Sequence, residues 1–436
     1  MAAEYATWCL LVTQALETYL KVKEQVRQTV DFDLKKLVLI FIYVRKMKYS
    51  IVVLLIAILF SCNNRDIRIA PWGLPENGNI IARQEVVGED TIIICSLDEV
   101  SKSLTIKVSD LVDSLELIKL ENTEDALVGE GDVFLSDNYI GVKSNVYKLF
   151  NKKGVYINTI GNIGQGPGEY NNLYDSQIDE VSDRIYLLEM NAKSILSYDL
   201  KGNYIQSIPL AYRLPKGRIY IETASERVTI TAMPWQGEEI PLLWIQDFEG
   251  NVITETRRDN VAVFPEFSSE VFSGMPEYRD NFSLFVTSIT GRIDTLYHYS
   301  LADNKLSSRF TVEYPNKEKI PLHYYCELPH CYIVEIYEKE IKGLDFTAFP
   351  QTRIIVDKKT LRGGYFDLLL DPLGGLFYKS YVTSFRDGYF ILNIDPGNLK
   401  DLVDESKSFY ELLSETDIQK LKDLKKSISE DDNNYR

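Results

Sequence analysis

Histidine is nearly missing from this chain, with three in 436 residues. So little imidazole leaves few candidates for the base of a serine hydrolase or for nitrogen ligands to a metal. The Gly-x-Ser-x-Gly turn that would expose a nucleophilic serine does not occur, nor does an Asp-x-Asp-x-Asp-Gly calcium loop. A positive surplus is also lacking: the net charge is -16, so nothing draws the molecule as a whole to nucleic acid or anionic lipid. Methionine is scarce too, five against 28 Tyr and 19 Phe, and that aromatic bias suits half-buried pleated surfaces better than helical bundles. One glycine-dense stretch, "GNIGQGPGEY" at residues 161–170, looks like a phosphate cradle but lacks its parts. No helix pattern opens after it, and no Lys-Ser or Lys-Thr pair follows the last glycine. No cofactor is expected.

What is present begins with an export signal in outline. "MKYSIVVLLIAILFSC", Met47 to Cys62, has a basic start, an apolar run of ten from Ile51 to Phe60, and a small residue before the cysteine. The run is too short to span a bilayer comfortably. An alternative, an anchor from Leu37 to Phe60, is weakened by "RKMK" in its middle, because charge in hydrocarbon is costly. The ending "LFSC" resembles the bacterial lipobox, and that resemblance makes Cys62 the lipidated first residue of the mature protein. Residues 1–46 then read as an upstream extension from a misassigned start, 47–61 as the lipoprotein signal peptide, and 62–103 as a turn-rich tether. The sparsely acidic "CNNRD" start favours the periplasmic face of the outer membrane.

Beyond residue 104 the chain repeats itself. "LFNKKGVYINTI", "SYDLKGNYIQSI" and "IQDFEGNVITET" place Gly154, Gly202 and Gly250 at intervals of 48 residues, and looser copies turn near Asn304 and Thr360. Each copy is strand, turn, strand, with glycine where the turn requires a positive φ. One unit holds four strands: Ser176 to Asp179, Arg184 to Glu189, Ser194 to Leu200 and Asn203 to Pro209. A unit of that size cannot cover both faces of its own sheet, so the copies must pack face to face around an axis. Five turn anchors give five blades, and Leu376 to Ile394 supplies part of a sixth. Asp113 to Glu121 is the expected strand that completes it and closes the ring. Seven blades, or two stacked β domains, remain alternatives. The expected fold is therefore all-β, a six-bladed β-propeller of four-stranded blades over residues 104–398, with a short helical tail over 399–436. In that tail Ser414 and Asp417 form a capping box.

"IGNIGQGPGEYNNLYDSQID" followed by "RIYLLEMNAKSILSYDLKGNYIQSI" resembles an NHL-type propeller repeat. With Ser114 to Thr123 and Gly164 to Tyr170, the chain is similar to the six-bladed, NHL- or TolB-like propeller lipoproteins of Bacteroidetes. Gly164, Gly166, Pro167 and Gly168 fall between the outer strand of one unit and the inner strand of the next, and so read as a blade crossover, where glycine and proline reverse the chain in little space. The resemblance implies an envelope protein and specifies no ligand.

The densest cluster of reactive residue types is "HYYCELPHC", with His323, Cys326, His330 and Cys331. These could be ordinary strand and loop residues, a Cys326–Cys331 disulfide favoured by an oxidising compartment, or a zinc site, although the spacing fits no standard ligand pattern. His298 reads as an ordinary sheet residue. Asp175 and Asp179, four apart on an inner strand, can share one face, but more simply cap strand ends or meet solvent. Three classes of function fit. The first is a noncatalytic binding or scaffold module for a protein, peptide or glycan. The second is a propeller lyase or hydrolase acting on an exported polysaccharide or peptide, and the third a purely structural envelope component. The scarcity of histidine favours the first. The partners expected are the membrane, through the lipid, and one unidentified ligand, with no nucleic acid.

Overall fold

The computed structural model describes residues 78–428, except 130, 238, 257–262, 264–268, 275–280, 288–293, 343–344, 379–383, 387 and 408–412. The expected extension, signal peptide and lipidated Cys62 lie outside the described residues.

Strands dominate. Four precede the repeats: β1 (Asn79–Ile80), β2 (Ala82–Val87), β3 (Asp90–Ser96) and β4 (Ser103–Lys107). The first sheet is β5 (Asp132–Leu135), β6 (Tyr139–Lys143), β7 (Tyr147–Asn151) and β8 (Tyr156–Ile160), antiparallel in sequence order. A small parallel pair follows, β9 (Asn162–Ile163) and β10 (Glu169–Tyr170). The second sheet is β11 (Leu173–Asp179), β12 (Arg184–Glu189), β13 (Ala192–Tyr198) and β14 (Tyr204–Leu214). The third is β15 (Gly217–Glu222), β16 (Arg227–Ala232), β17 (Leu243–Asp247) and β18 (Val252–Thr256). The fourth runs β19 (Glu270–Gly274), β20 (Asn281–Thr287), β21 (Leu296–Ser300) and β22 (Lys305–Glu313), then adds β3 and β2. The fifth contains β23 (Leu322–Glu327), β24 (Cys331–Lys342), β25 (Asp345–Asp357) and β26 (Arg362–Leu370), with β1, β4 and β27 (Leu376–Tyr378) also on β26. A short pair, β28 (Ser384–Arg386) and β29 (Tyr389–Ile391), precedes helices α1 (Pro396–Ser406) and α2 (Glu415–Ser427). This succession of antiparallel sheets is propeller-like.

The cores lie between successive sheets, and strand β12 shows why. Its Ile185 and Leu187 pack with Tyr147 and Leu149 of the first sheet, while Tyr186 and Leu188 pack with Ile219 and Ile230 of the third. A strand buried on both faces needs apolar residues in succession, which is why "IYLL" does not alternate. Each such side chain contributes roughly 1.5–3 kcal/mol of burial. Sheets three and four share Met233, Leu242, Val271 and Leu284; four and five share Phe285, Phe310, Tyr325 and Val334.

Three expectations are corrected. The segment from Asn79 onward supplies strands to the two largest sheets and is not a tether. It does so because the apolar "TIIIC" of β3 lies in parallel register beside β22, with Ile93 opposite Phe310, and β4 lies likewise beside β26. Asp113–Glu121 forms no strand. Instead it spans two cores: Leu115 and Leu117 pack with the fifth sheet and both helices, and Leu120 joins the core of the first sheet. The Glu121 N–H donates to Gly154 O at 2.7 Å. Leu376 to Tyr378, expected in a sixth unit, pairs with β26. In the tail, Ser414 caps α2 and accepts from the Asp417 N–H.

Gly154, Gly202 and Gly250 turn their hairpins at φ +79, +85 and +87. In each turn the residue three earlier accepts from the chain that follows. Asn151 Oδ1 takes the Val155 N–H at 3.1 Å, Asp199 Oδ1 the Asn203 N–H at 2.8 Å, and Asp247 Oδ1 the Asn251 N–H at 2.7 Å. The turns also touch what precedes them: a Cβ on Gly202 would stand 3.1 Å from Thr159 O, and one on Gly250 3.2 Å from Pro209 O. By contrast, Gly88 has φ +65 and open space around it. Gly88→Ala should therefore cost only the backbone penalty of about 1–2 kcal/mol, and Gly202→Ala more. Urea unfolding compares them, and equal losses would rule out a sheet-to-sheet role for the second turn.

Candidate functional site

Strand β11 is joined to β15 of the next sheet through side chains. Asp175 Oδ2 accepts the Ile219 N–H at 2.8 Å. Gln177 accepts the Ile221 N–H at 2.7 Å and donates to Ile221 O at 2.8 Å. Asp179 Oδ2 accepts from the Thr223 hydroxyl at 2.5 Å. The offset is 44 residues each time. These are alternate residues of β11, so all three side chains leave the strand on one face.

Charged side chains from several leading strands meet beside this seam. The Asp175 carboxylate, fully buried, also bonds through Oδ1 to Arg218 at 3.2 Å and to Arg386 of β28 at 3.0 Å. Lys216 pairs with Glu270 of β19 at 2.5 Å, and the Tyr174 hydroxyl donates to that same carboxylate. Lys143 pairs with Asp132 at 2.8 Å and donates to Tyr174 O. The Arg218 guanidinium lies 4.9 Å from the Tyr174 ring centre and 5.9 Å from that of Phe272, within cation–π range. Burial opposes its charge, but Asp175 and its other neighbours outweigh that, and its pKa is raised. Burial pushes the Tyr174 phenol up as well, so it is held as a donor.

The histidines lie elsewhere in the sheets. His323 is buried with both ring nitrogens engaged, Nδ1 at 2.9 Å from Pro321 O and Nε2 at 2.9 Å from Asp294 Oδ1. A carbonyl can only accept, so Nδ1 carries a proton. Burial works against a charged ring, but the Asp294 carboxylate and the Pro321 carbonyl outweigh it and hold the His323 pKa above the ordinary 6.5. His298 meets Glu327 at 2.6 Å, and Lys358 bonds the other oxygen at 2.7 Å. Burial would raise the Glu327 carboxyl, yet these two neighbours keep it below the usual carboxylate range. Among the described residues, no group of three or more His, Cys, Asp or Glu side chains is placed to hold a metal ion.

A family model described as a domain of unknown function, DUF4934, matches residues 92–435. The chain belongs to the DUF4934 family. Solved structures similar to this DUF4934 chain include a Bacteroides fragilis protein described as exported, at 14% identity over 74% of this chain and 93% of that one, with a TM-score of 0.48. A member of the DUF4221 family from Bacteroides vulgatus follows, at 11% identity, 62% and 92% coverage and a TM-score of 0.38. The WD40 domain of Neurospora crassa Pan2 aligns at 9% identity, 54% and 66% coverage and a TM-score of 0.31. No curated protein matches the chain.

In the DUF4934 chain the residues singled out from the sequence are scattered. Cys326 and Cys331 lie near the end of β23 and at the start of β24 and are not joined by a disulfide in this structure. Cys326 lies opposite Ile333, and Cys331 opposite Asp357. Burial pushes the Cys331 thiol well up. His330 is exposed, and its carbonyl accepts the Lys358 N–H. Gly164, Gly166, Pro167 and Gly168 do lie in the link from the first sheet to the second, folded back by β9 and β10. Gly166 N donates to Glu169 Oε2 at 2.7 Å, Gly168 O accepts from the Tyr198 hydroxyl at 2.7 Å, and Gly168 has φ +74. Asp175 and Asp179 share a face and both hold the next sheet; Asp175 is fully buried, whereas Asp179 ends β11, is half-buried, and also accepts the Ser182 N–H at 3.1 Å. Lys216, Arg218, Glu270 and Arg386 were not singled out at all, although the "KGR" opening β15 carried a visible signal.

Two outcomes test the site's energetics. Gln177→Leu strands the Ile221 amide and carbonyl and should cost about 1–3 kcal/mol. Asp175→Asn leaves two guanidiniums without their counter-charge and should cost more, about 3–5 kcal/mol, in urea unfolding. The histidine gives a pH signature. Its folded pKa is raised above the unfolded value, so its stabilisation is complete below the unfolded pKa and fades as pH rises through the folded one. The stability gap between wild type and His323→Gln should be wider at about pH 5.5 than at about pH 9; a gap that widens with pH would contradict the pairing.

Proposed function

We propose that the chain is a six-bladed β-propeller, held at the cell envelope by a lipid on Cys62, and that it serves as a noncatalytic binding module for a protein, peptide or glycan. Support for six comes from the sequence of hairpins. Three sheets of four strands are followed by β19 to β22 and by β23 to β26, and the β28–β29 pair comes next in the chain as a separate two-stranded sheet. Arg386 of that pair reaches Asp175 of the second sheet and lies 5.0 Å from the Phe134 ring of the first. Asn393, just after it, donates to Gly131 O.

The observation that carries the binding reading is the state of the converging carboxylates. Asp132, Asp175 and Glu270 are each held by a lysine or arginine, which suits fixed recognition better than proton transfer, where a base must be free to accept. His298 and His323 are committed to carboxylates within the sheets. No helix of the described residues is long and apolar enough to cross a membrane, and attachment through Cys62 needs none.

Two measurements test this reading. Cells fed a fatty-acid analogue should label the protein, and Cys62→Ala should abolish the label; an undiminished label would remove the lipid anchor. Purified protein incubated with polysaccharide and peptide libraries should retain a ligand and return it unaltered. Shortened products would point to a lyase or hydrolase instead.

A further inference from the structure

Sheets four and five meet through a second group of ionisable side chains. Sheet four contributes His298 of β21 and Arg309 of β22; sheet five contributes Glu327 at the end of β23, Tyr332 of β24 and Lys358 just after β25. The Glu327 carboxylate, whose side chain is 3% exposed, holds His298 on one oxygen at 2.6 Å and Lys358 on the other at 2.7 Å. The Lys358 ammonium lies 4.8 Å from the centre of the Tyr332 ring, and Phe310, next to Arg309 in the chain, stacks on the same ring at 4.3 Å. Arg309 is near enough for its charge to pull down the Tyr332 phenol, which burial pushes up.

Arg309 stands out in this group. Leu296 lies opposite Phe310 and Tyr297 opposite Ser308, so Arg309 is an extra residue on β22, a bulge. On the other side, β3 begins its ladder only at Phe310. A bulge re-aims the side chain it carries. Here that side chain is half-buried, and its Nε is buried with no hydrogen bond. Among the described residues no carboxylate pairs with the guanidinium. Asp90 on neighbouring β3 spends Oδ2 on the Ser308 amide, and both oxygens of Glu327 are taken. A buried donor with nothing to accept from it is costly, and an anion from outside the chain removes that cost.

We propose that Arg309 and Lys358 form a binding site for a tetrahedral oxyanion, phosphate or sulfate, free or as an ester. Arg309 offers a fork of donors, none of them spent on the protein. Lys358 uses one of three on Glu327. The donors come from two sheets and so approach a ligand from different directions. A guanidinium fork alone saturates a planar carboxylate, whereas a tetrahedral oxyanion keeps oxygens for the ammonium as well. Glu327, buried behind the cations, fixes Lys358 in place. Solvent reaches the site, since the His298 and Lys358 side chains are 21% and 24% exposed.

The site shares no residue with the charged centre around Asp175, so its failure leaves the binding-module reading standing. Calorimetric titration of the full chain in chloride buffer tests it with inorganic phosphate, inorganic sulfate, glucose 6-phosphate, glucose 6-sulfate and acetate. At least one tetrahedral anion should bind saturably, about tenfold or more tighter than acetate, and Lys358→Gln should weaken it by a similar factor. Arg309→Met should abolish binding, and Arg309→Lys, which keeps the charge without the fork, should retain part of it. Without anion, Arg309→Met should unfold at the same temperature as wild type or higher, because it removes a buried donor that has no acceptor. Binding of the inorganic ions alone assigns the site to a free ion, and binding of an ester at least as tightly assigns it to an ester group on a larger ligand. The proposal is overturned if no tetrahedral anion binds, if acetate binds as well, or if Arg309→Met keeps full affinity. Marked destabilisation of Arg309→Met in the absence of anion would also overturn it, by showing that the guanidinium already has a partner.

Discussion

Sheets that fan outward cannot join their leading strands by a backbone ladder, and the structure depends on how that gap is filled. Along β11, Asp175, Gln177 and Asp179 reach two amides and a carbonyl of β15 and the hydroxyl of Thr223 just beyond it, at a constant offset. Side chains thus stand in for a neighbouring strand and satisfy groups that burial would otherwise leave unpaired. Farther out the same task falls to Gln246, which accepts the Ala211 N–H and donates to Pro209 O, and to Asn304, which accepts from Thr256 and Tyr299. Apolar residues between the sheets supply the bulk of the driving force, but these polar contacts set the spacing at which the sheets pack.

The charged centre follows from that seam. A carboxylate placed to hold an amide across the gap is buried, and a buried carboxylate is tolerated only with cations and donors around it. Asp175 has two guanidiniums and one amide. Once Arg218 is drawn in, it lies over Tyr174 and Phe272. Structural need thus assembles basic and aromatic groups at one place.

The sequence made the repeating hairpins legible because their information is local. The spacing of Gly154, Gly202 and Gly250 located three turns, and the four strands expected between Ser176 and Pro209 lie in β11 to β14. A sharper signal went unused: Asn151, Asp199 and Asp247 recur three residues before each glycine and build the turns. Contacts across long separations were not legible. Strand β3 looked like an apolar patch in a linker because its partner β22 is more than two hundred residues away. Asp113–Glu121 has the alternation of a strand yet forms no ladder, because packing holds its leucines in two cores at once. Asp175 and Asp179 were noticed as a pair, but the strand that receives them is not visible in their own neighbourhood, and neither is the meeting of Arg218 with Arg386.

Strands β3 and β4 have one further consequence, for the order in which the chain matures. They leave the ribosome before any repeat, and although β3 can pair at once with β2, its other edge and the ladder of β4 require β22 and β26, made more than two hundred residues later. Until then β3, paired on one side with β2, presents one open edge, the one that β22 later covers. Closing so long a loop is slow, so the earliest strands synthesised wait longest for their long-range ladders.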